Sequence, residues 1–196
     1  MLDYNTLYEK VRDHFLLYNK EERFNHTLGV IKMALYLNKI HNLNLNEEKI
    51  KISALIHDYS KVYSTEILKK YILKEYSSDL ELLNFPEIFH ALIGDVIVKQ
   101  ELDIIDLEIL DAVKYHTTGK ANMSNLTKLI YLSDYIEEGR KFNQASVIRE
   151  LAYKSIDKAI FEMTKNTIEY LESKGFAVYS KTYETYNYYK EENLNA

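Results

Sequence analysis

The sequence predicts an all-α, single-domain helical bundle that ends in a short Tyr-rich arm, and three observations lead there. Apolar residues recur three and four positions apart in segment after segment, the spacing of one helix face. Only five Gly and one Pro are spread over 196 residues, too few for the turns of an all-β protein, while Leu, Ile, Glu, Lys and Ala abound. No fixed-period repeat or low-complexity linker divides the chain, so its 46% hydrophobic content serves one core.

Residues 1–20 read as an N-terminal helix of the same domain, 21–175 as its body and 176–196 as the arm. The first helix, from about residue 3 to 18, carries Tyr4, Leu7, Val11, Phe15 and Tyr18 on one stripe. The second carries His26, Val30, Met33, Leu37 and Ile40. Asn46 before Glu47 and Glu48 is an N-cap with acids in the first turn, so a third helix starts there and runs to His57 and Asp58. One or two short helices follow before Pro86, which opens the helix that carries His90. Leu107, Ile109, Leu110 and Val113 lead to His116 at the end of another helix, where Thr117, Thr118 and Gly119 form a stop. Leu126, Ile130 and Asp134 share a face of the next. A last long helix is expected from about Ser146 to Lys174, ended by Gly175. The segment after it is polar and Tyr-rich and reads as an extended arm with frayed final residues.

Composition narrows the chemistry. Without Cys there is no disulfide, no thiolate metal site and no cysteine nucleophile, so any metal is held by His and carboxylates. A net charge of -5 speaks against a nonspecific nucleic-acid binder, although local charge can still attract a small anion. The opening MLDYNTLYEKVRDHF lacks the pattern of a signal peptide, and no apolar run approaches the roughly 18 residues of a membrane span. The expectation is a cytoplasmic protein without nucleic-acid or membrane partners.

Four His and two Asp fall on apolar helical faces or at helix ends that one core can bring together: His26, His57, Asp58, His90, His116 and Asp134. A lone core histidine is usually just hydrogen-bonded, but Asp is rarely buried without compensation, and a shared metal compensates Asp58 and Asp134 at once. Imidazole and carboxylate together suit Fe, Mn, Zn and similar ions. Neighbours on a helix point about 100° apart, so His57 and Asp58 reach one ion only at a helix end or kink. His14 and His41 sit among polar neighbours and read as surface or satisfied histidines. Lys61, one turn past Asp58, reads first as a solvated lysine, and Thr117 as a hydroxyl that donates a hydrogen bond to phosphate or simply as part of the helix stop. Tyr179, Tyr183 and Tyr186 offer faces to an adenine, or to the bundle or a second subunit, so a homodimer is also compatible.

In their order, His26, His57-Asp58 and Asp134 match the H…HD…D signature of the HD-domain phosphohydrolases. The strings RFNHTLGV, ALIHDYSK, HALIGDV, VKYHTTGK and IYLSDYIEEGR resemble those of one branch, the YqeK-type symmetrical diadenosine tetraphosphatases, from about residue 20 to 183. The resemblance implies an HD-type bundle in which His26, His57, Asp58 and Asp134 ligate an ion, iron first, with Mn, Co or Zn as alternatives. It places His90 and His116 against the bound phosphates or on a second metal. Arg23 and Arg140 match basic residues that contact nucleotide, and Ala177, Val178, Tyr179, Ser180, Lys181 and Thr182 match a nucleotide-contacting tail. Substrate contacts are further expected at His26 and Asp134. The chain has SDYIEEGR where the family commonly reads ADYIEPGR, and Tyr179-Ser180-Lys181-Thr182 where it often reads His-Pro-Arg-Thr.

The implied reaction is hydrolysis of diadenosine tetraphosphate to two ADP by a metal-activated water that Asp58 orients. His90 or His116 would hydrogen-bond or protonate the leaving phosphate, and Arg140 would clamp the others. Two alternatives share the same residues: another HD nucleotidase or guanosine tetraphosphate hydrolase, and a non-catalytic HD module that binds nucleotide.

Overall fold

The computed structural model describes residues 3–194, and every regular element among them is helical. Helix α1 (Tyr4–Leu17) is capped by the Asp3 carboxylate and buries Leu7, Val11 and Phe15; Tyr18, expected on that stripe, lies beyond the helix and is exposed. Helix α2 (Glu21–Ile40) crosses the molecule and buries Val30, Met33, Ala34 and Leu37. Asn46 caps α3 (Glu47–Ile56) by accepting the backbone N–H groups of Glu48 and Lys49, as its position predicts. A 3-10 turn over Tyr59–Val62 then leads to α4 (Thr65–Glu75).

The segment after α4 is mostly 3-10 turns. Pro86 opens one of them, Pro86–Ile88, which passes directly into the short α5 (Phe89–Leu92) that carries His90. Helices α6 (Gly94–Leu102), α7 (Leu107–Tyr115) and α8 (Asn125–Ile136) follow. Helices α2, α3, α7 and α8 pack on one another and form the centre of the bundle, with α1 and α6 against its sides.

Two expectations fail beyond residue 143. The single long helix is two, α9 (Asn143–Ala152) and α10 (Ile156–Ser173), separated at Tyr153–Ser155. The Ser155 hydroxyl accepts the Lys158 N–H and starts α10 afresh. Apolar residues continue on both sides of the break, so periodicity alone does not reveal it. Gly175 ends α10 at φ +71°, a left-handed stop. The expected extended arm is instead α11 (Ser180–Leu194), which packs along α10. Its buried face is Thr182, Thr185 and Tyr189, a helical spacing built without aliphatic side chains. The last two residues, whose fraying was expected, lie outside the described ones.

Candidate metal centre and active site

His57 and His116 share one local construction. Each follows the last residue of a helix, α3 or α7, with its backbone still helical. Each ring turns back so that Nδ1–H donates to a carbonyl three residues earlier, Ala54 for His57 and Val113 for His116, both at 2.6 Å. That bond fixes the ring and commits Nε2 to the interior, where in both residues it is buried with no hydrogen-bond partner.

Asp58 joins them, turned inward because the helix ends at its neighbour. Arg23 Nη1 donates to its Oδ2 at 2.9 Å, while Oδ1 is buried without a hydrogen bond. Oδ1 faces His116 Nε2 at 3.4 Å, His90 Nε2 at 3.6 Å and Lys61 Nζ at 3.4 Å. Lys61 is therefore a rim cation of the site and not a solvated surface lysine. From α8, Asp134 Oδ1 lies 2.8 Å from His26 Nε2, 3.9 Å from His57 Nε2, and accepts Arg140 Nη2 at 2.7 Å. Arg140 also donates from Nε to the Asp134 carbonyl at 2.9 Å, which ties the turn after α8 to the site. His90 is held through its carbonyl by the Ser60 hydroxyl at 2.7 Å, and its Nε2 lies 3.3 Å from Thr117 Oγ1.

Electrostatics follow from this packing. Burial pushes His57 down to about 4 and His90 well below the usual imidazole range, with Lys61 acting in the same direction on His90. Both are therefore neutral near pH 7. Burial would raise the two carboxyls, but it loses to their neighbours. His57, His116 and Lys61 hold Asp58 well below the ordinary carboxylate range, and the His26 hydrogen bond, His57 and Arg140 do the same for Asp134. The centre thus presents ionised carboxylates beside neutral imidazoles, the protonation state that a divalent cation requires.

The donor set fits such an ion. Orphaned buried polar atoms are costly, and here three of them, His57 Nε2, His116 Nε2 and Asp58 Oδ1, face one another. Two ligand groups each lie within 4.8 Å, His26–His57–Asp134 and His57–Asp58–His116. His57 belongs to both.

Other expected residues lie farther out. An open cleft of about 800 Å³ beside the centre is lined by Lys20, Arg23, His26, Glu137 and Arg140 among others. Thr182 is buried and Lys181 is paired with Glu184 at 2.6 Å. Tyr179 packs on Phe85, whereas Tyr183 bonds Glu172 and Tyr186 stacks on Phe161, so the last two are engaged with their own bundle. Ala177 and Val178 stand in the connection between α10 and α11. His14 stacks on Tyr59 and His41 reaches the Ala152 carbonyl at 2.7 Å, both away from the centre. Glu137 and Ser60 hold His26 and His90 respectively, and neither was singled out from the sequence. Glu137 looks like half of an acidic pair; its three-residue offset from Asp134 was the available signal.

Residues 23–139 match the model of the family described as the HD domain. The chain is 36% identical over 168 residues to a symmetrical bis(5'-nucleosyl)-tetraphosphatase of Bacillus subtilis, covering 86% of this chain and 89% of that one. It is 38% identical over 173 residues to the protein of the same name in Staphylococcus aureus, covering 86% and 87%. A crystal structure described as a predicted HD superfamily hydrolase involved in NAD metabolism, from Clostridium acetobutylicum, superposes with a TM-score of 0.84 at 33% identity. It covers 94% of this chain and 97% of that one. No helix among the described residues is long and apolar enough to cross a membrane.

Proposed function

The chain belongs to the HD-domain family and to its branch of symmetrical bis(5'-nucleosyl)-tetraphosphatases, and from that premise we propose that it hydrolyses diadenosine tetraphosphate to two ADP. The observation that carries the reading is the set of buried, unpartnered donors on His57, His116 and Asp58 beneath a rim of Arg23, Lys61 and Arg140. The buried atoms offer a place for a divalent ion, and the three cations, each paired with Asp58 or Asp134, offer charge to a polyphosphate.

His26, His57, Asp58 and Asp134 would hold the ion, proposed as iron, with Mn, Co or Zn as alternatives for an all-nitrogen and oxygen shell. When bound, it supplies Lewis acidity and a water of lowered pKa. The chain's own residues do the rest. Asp58, anchored through Oδ2 by Arg23, keeps Oδ1 turned to where water and phosphate meet. Arg140 and Lys61 neutralise phosphate oxygens. His90, held neutral and positioned by Ser60, and His116 offer hydrogen bonds to the phosphate that leaves. Thr117 Oγ1 beside His90 adds a hydroxyl on the same side. Segment 177–182 is proposed to contact one nucleoside, with Tyr179 as its aromatic face.

A second ion held with His90 and His116 is the alternative arrangement: His116 stands in the group His57–Asp58–His116, and His90 Nε2 lies 3.6 Å from Asp58 Oδ1. Exposed Tyr170 and Phe176 near the end of α10 suit a homodimer contact.

Hydrolysis in isotopically labelled water tests the reaction. Water adds across the bond between the second and third phosphates, so ADP should be the sole product. On average one solvent oxygen should appear per two ADP, on a terminal phosphate. ATP and AMP as first products would defeat the reading, and turnover of other nucleotides but not of this one would move the chain to another HD nucleotidase.

A further inference from the structure

Glu137 is a buried carboxylate with no part in the proposed reaction beyond its contact with His26. It sits where the chain leaves α8 and points back at α2. Its Oε1 lies 3.1 Å from His26 Nδ1, and its Oε2 accepts the Gly139 N–H at 2.6 Å. Arg149 fixes the backbone beneath it, donating to the carbonyls of Ile136 at 2.6 Å and Glu137 at 2.9 Å. Two glycines admit the side chain. A Cβ on Gly29 would land on Oε2, and one on Gly139 would come within 2.7 Å of Oε1. Gly29 stands in the interior of α2, where glycine costs about 1 kcal/mol relative to alanine.

An ionised carboxylate has only acceptors, so its contact with His26 Nδ1 requires the proton to sit on that nitrogen. Without an ion, the 2.8 Å contact of His26 Nε2 with Asp134 Oδ1 is an N–H donated to that carboxylate; a cation bound between the two would take the place of this proton and leave a neutral ring that ligates through Nε2 and keeps its proton on Nδ1. The other tautomer would set a lone pair against Glu137 and turn an N–H toward the centre. We infer that Glu137 is a positioning residue that holds His26 in the Nδ1–H tautomer with Nε2 free for the cation, and that Gly29 is kept in α2 to admit it. The inference rests on reading His26 as a metal ligand, and is independent of which substrate the site cleaves.

The test uses metal-stripped full-length protein reloaded with zinc. Zinc affinity is measured by competition with a chromophoric chelator, and the His26 tautomer by its ring-nitrogen NMR shifts. Zinc-loaded parent protein should show a protonated Nδ1 and a metal-bound Nε2; an Nε2–H tautomer there would overturn the proposal without any variant. Glu137→Gln should bind zinc roughly 10- to 100-fold more weakly. Gly29→Ala, which leaves the carboxylate chemically intact but displaces it, should weaken zinc in the same way. As a merely structural change it would instead favour the helix and leave affinity alone. Affinities within about twofold of the parent in either folded variant, with unchanged His26 shifts, would overturn the role. Absence of diadenosine tetraphosphate hydrolysis alongside these metal effects would remove the proposed activity and leave Glu137 in place.

Discussion

His57 and His116 stand at the ends of α3 and α7 in the same local geometry, with the same 2.6 Å bond to a carbonyl three residues back and the same stranded Nε2. They differ in what lies opposite. His57 Nε2 looks at both carboxylates, 3.7 Å from Asp58 and 3.9 Å from Asp134, and belongs to both possible ligand groups. His116 looks at Asp58 alone, 3.4 Å away, with His90 beside it. A helix end therefore fixes how a histidine points, while the element packed across from it decides what the histidine does. That division can be broken or sharpened experimentally.

The largest effect belongs to the cation itself. Chelation should abolish activity and added Fe, Mn or Co should restore it; full activity in a demonstrably metal-free sample would erase the comparison. Next come His57→Ala, Asp58→Ala and Asp134→Ala, which should lose the bound ion in metal analysis, with affinity down by more than about 100-fold. His116→Ala should keep one ion and lose turnover by roughly 10²- to 10⁴-fold. Equal metal loss in all four would make the two histidines equivalent and favour a binuclear centre.

The chain beyond each histidine is also secured differently. After His57 it enters the 3-10 turn that carries Ser60 and Lys61; after His116 it turns through Gly119 at φ +63° against α11. There the Thr185 hydroxyl donates to the Thr118 carbonyl at 3.0 Å, and a Cβ on Gly119 would meet Thr185 Cγ2 at 2.7 Å. Gly119→Ala should cost about 1–3 kcal/mol in denaturant unfolding and lower turnover through His116 while sparing metal content. The smallest effect belongs to a histidine outside the centre. Burial lowers the His14 pKa, against its contact with the Tyr59 carbonyl and Glu101 and with Lys10. A depressed imidazole pKa gives stability that is present above about pH 6.5 and lost as pH falls through the lower folded value. Its partial exposure holds this under about 1 kcal/mol. Thermal melts from pH 7 to 5 should fall slightly more for the parent than for His14→Gln.

What the sequence revealed and concealed follows the same logic. Helix ends at His57 and His116 were legible because an apolar run stops at a polar residue, and Asn46 announced α3 through its cap. The break before Ser155 was not, since Ile148, Ala152, Ile160 and Met163 keep apolar content on both sides. Helix α11 does not stand out in the sequence because its inner face is Thr182, Thr185 and Tyr189, whose hydroxyls read as solvent-facing. In the structure the Thr185 hydroxyl is bonded to the carbonyls of Thr118 and Lys181. Which side chains gather at the centre was legible where an ionisable residue stands on an apolar helical face, as at His26 and Asp134. It was hidden where a residue acts through another, as with Ser60 on His90.

The burial gradient across the centre bears on exchange kinetics. The side chains of His57 and His116 are 0% exposed, whereas those of Arg23, Lys61 and Arg140 are 35%, 31% and 32% exposed. On the proposed reading, a cation travelling between solvent and those buried side chains would pass the rim, whose three cations are paired with Asp58 and Asp134 and would be partly freed to repel it once the ion engaged those carboxylates. A polyphosphate lying on the rim would neutralise it and cover the centre, so that exchange of the ion would fall in the intervals between one substrate and the next.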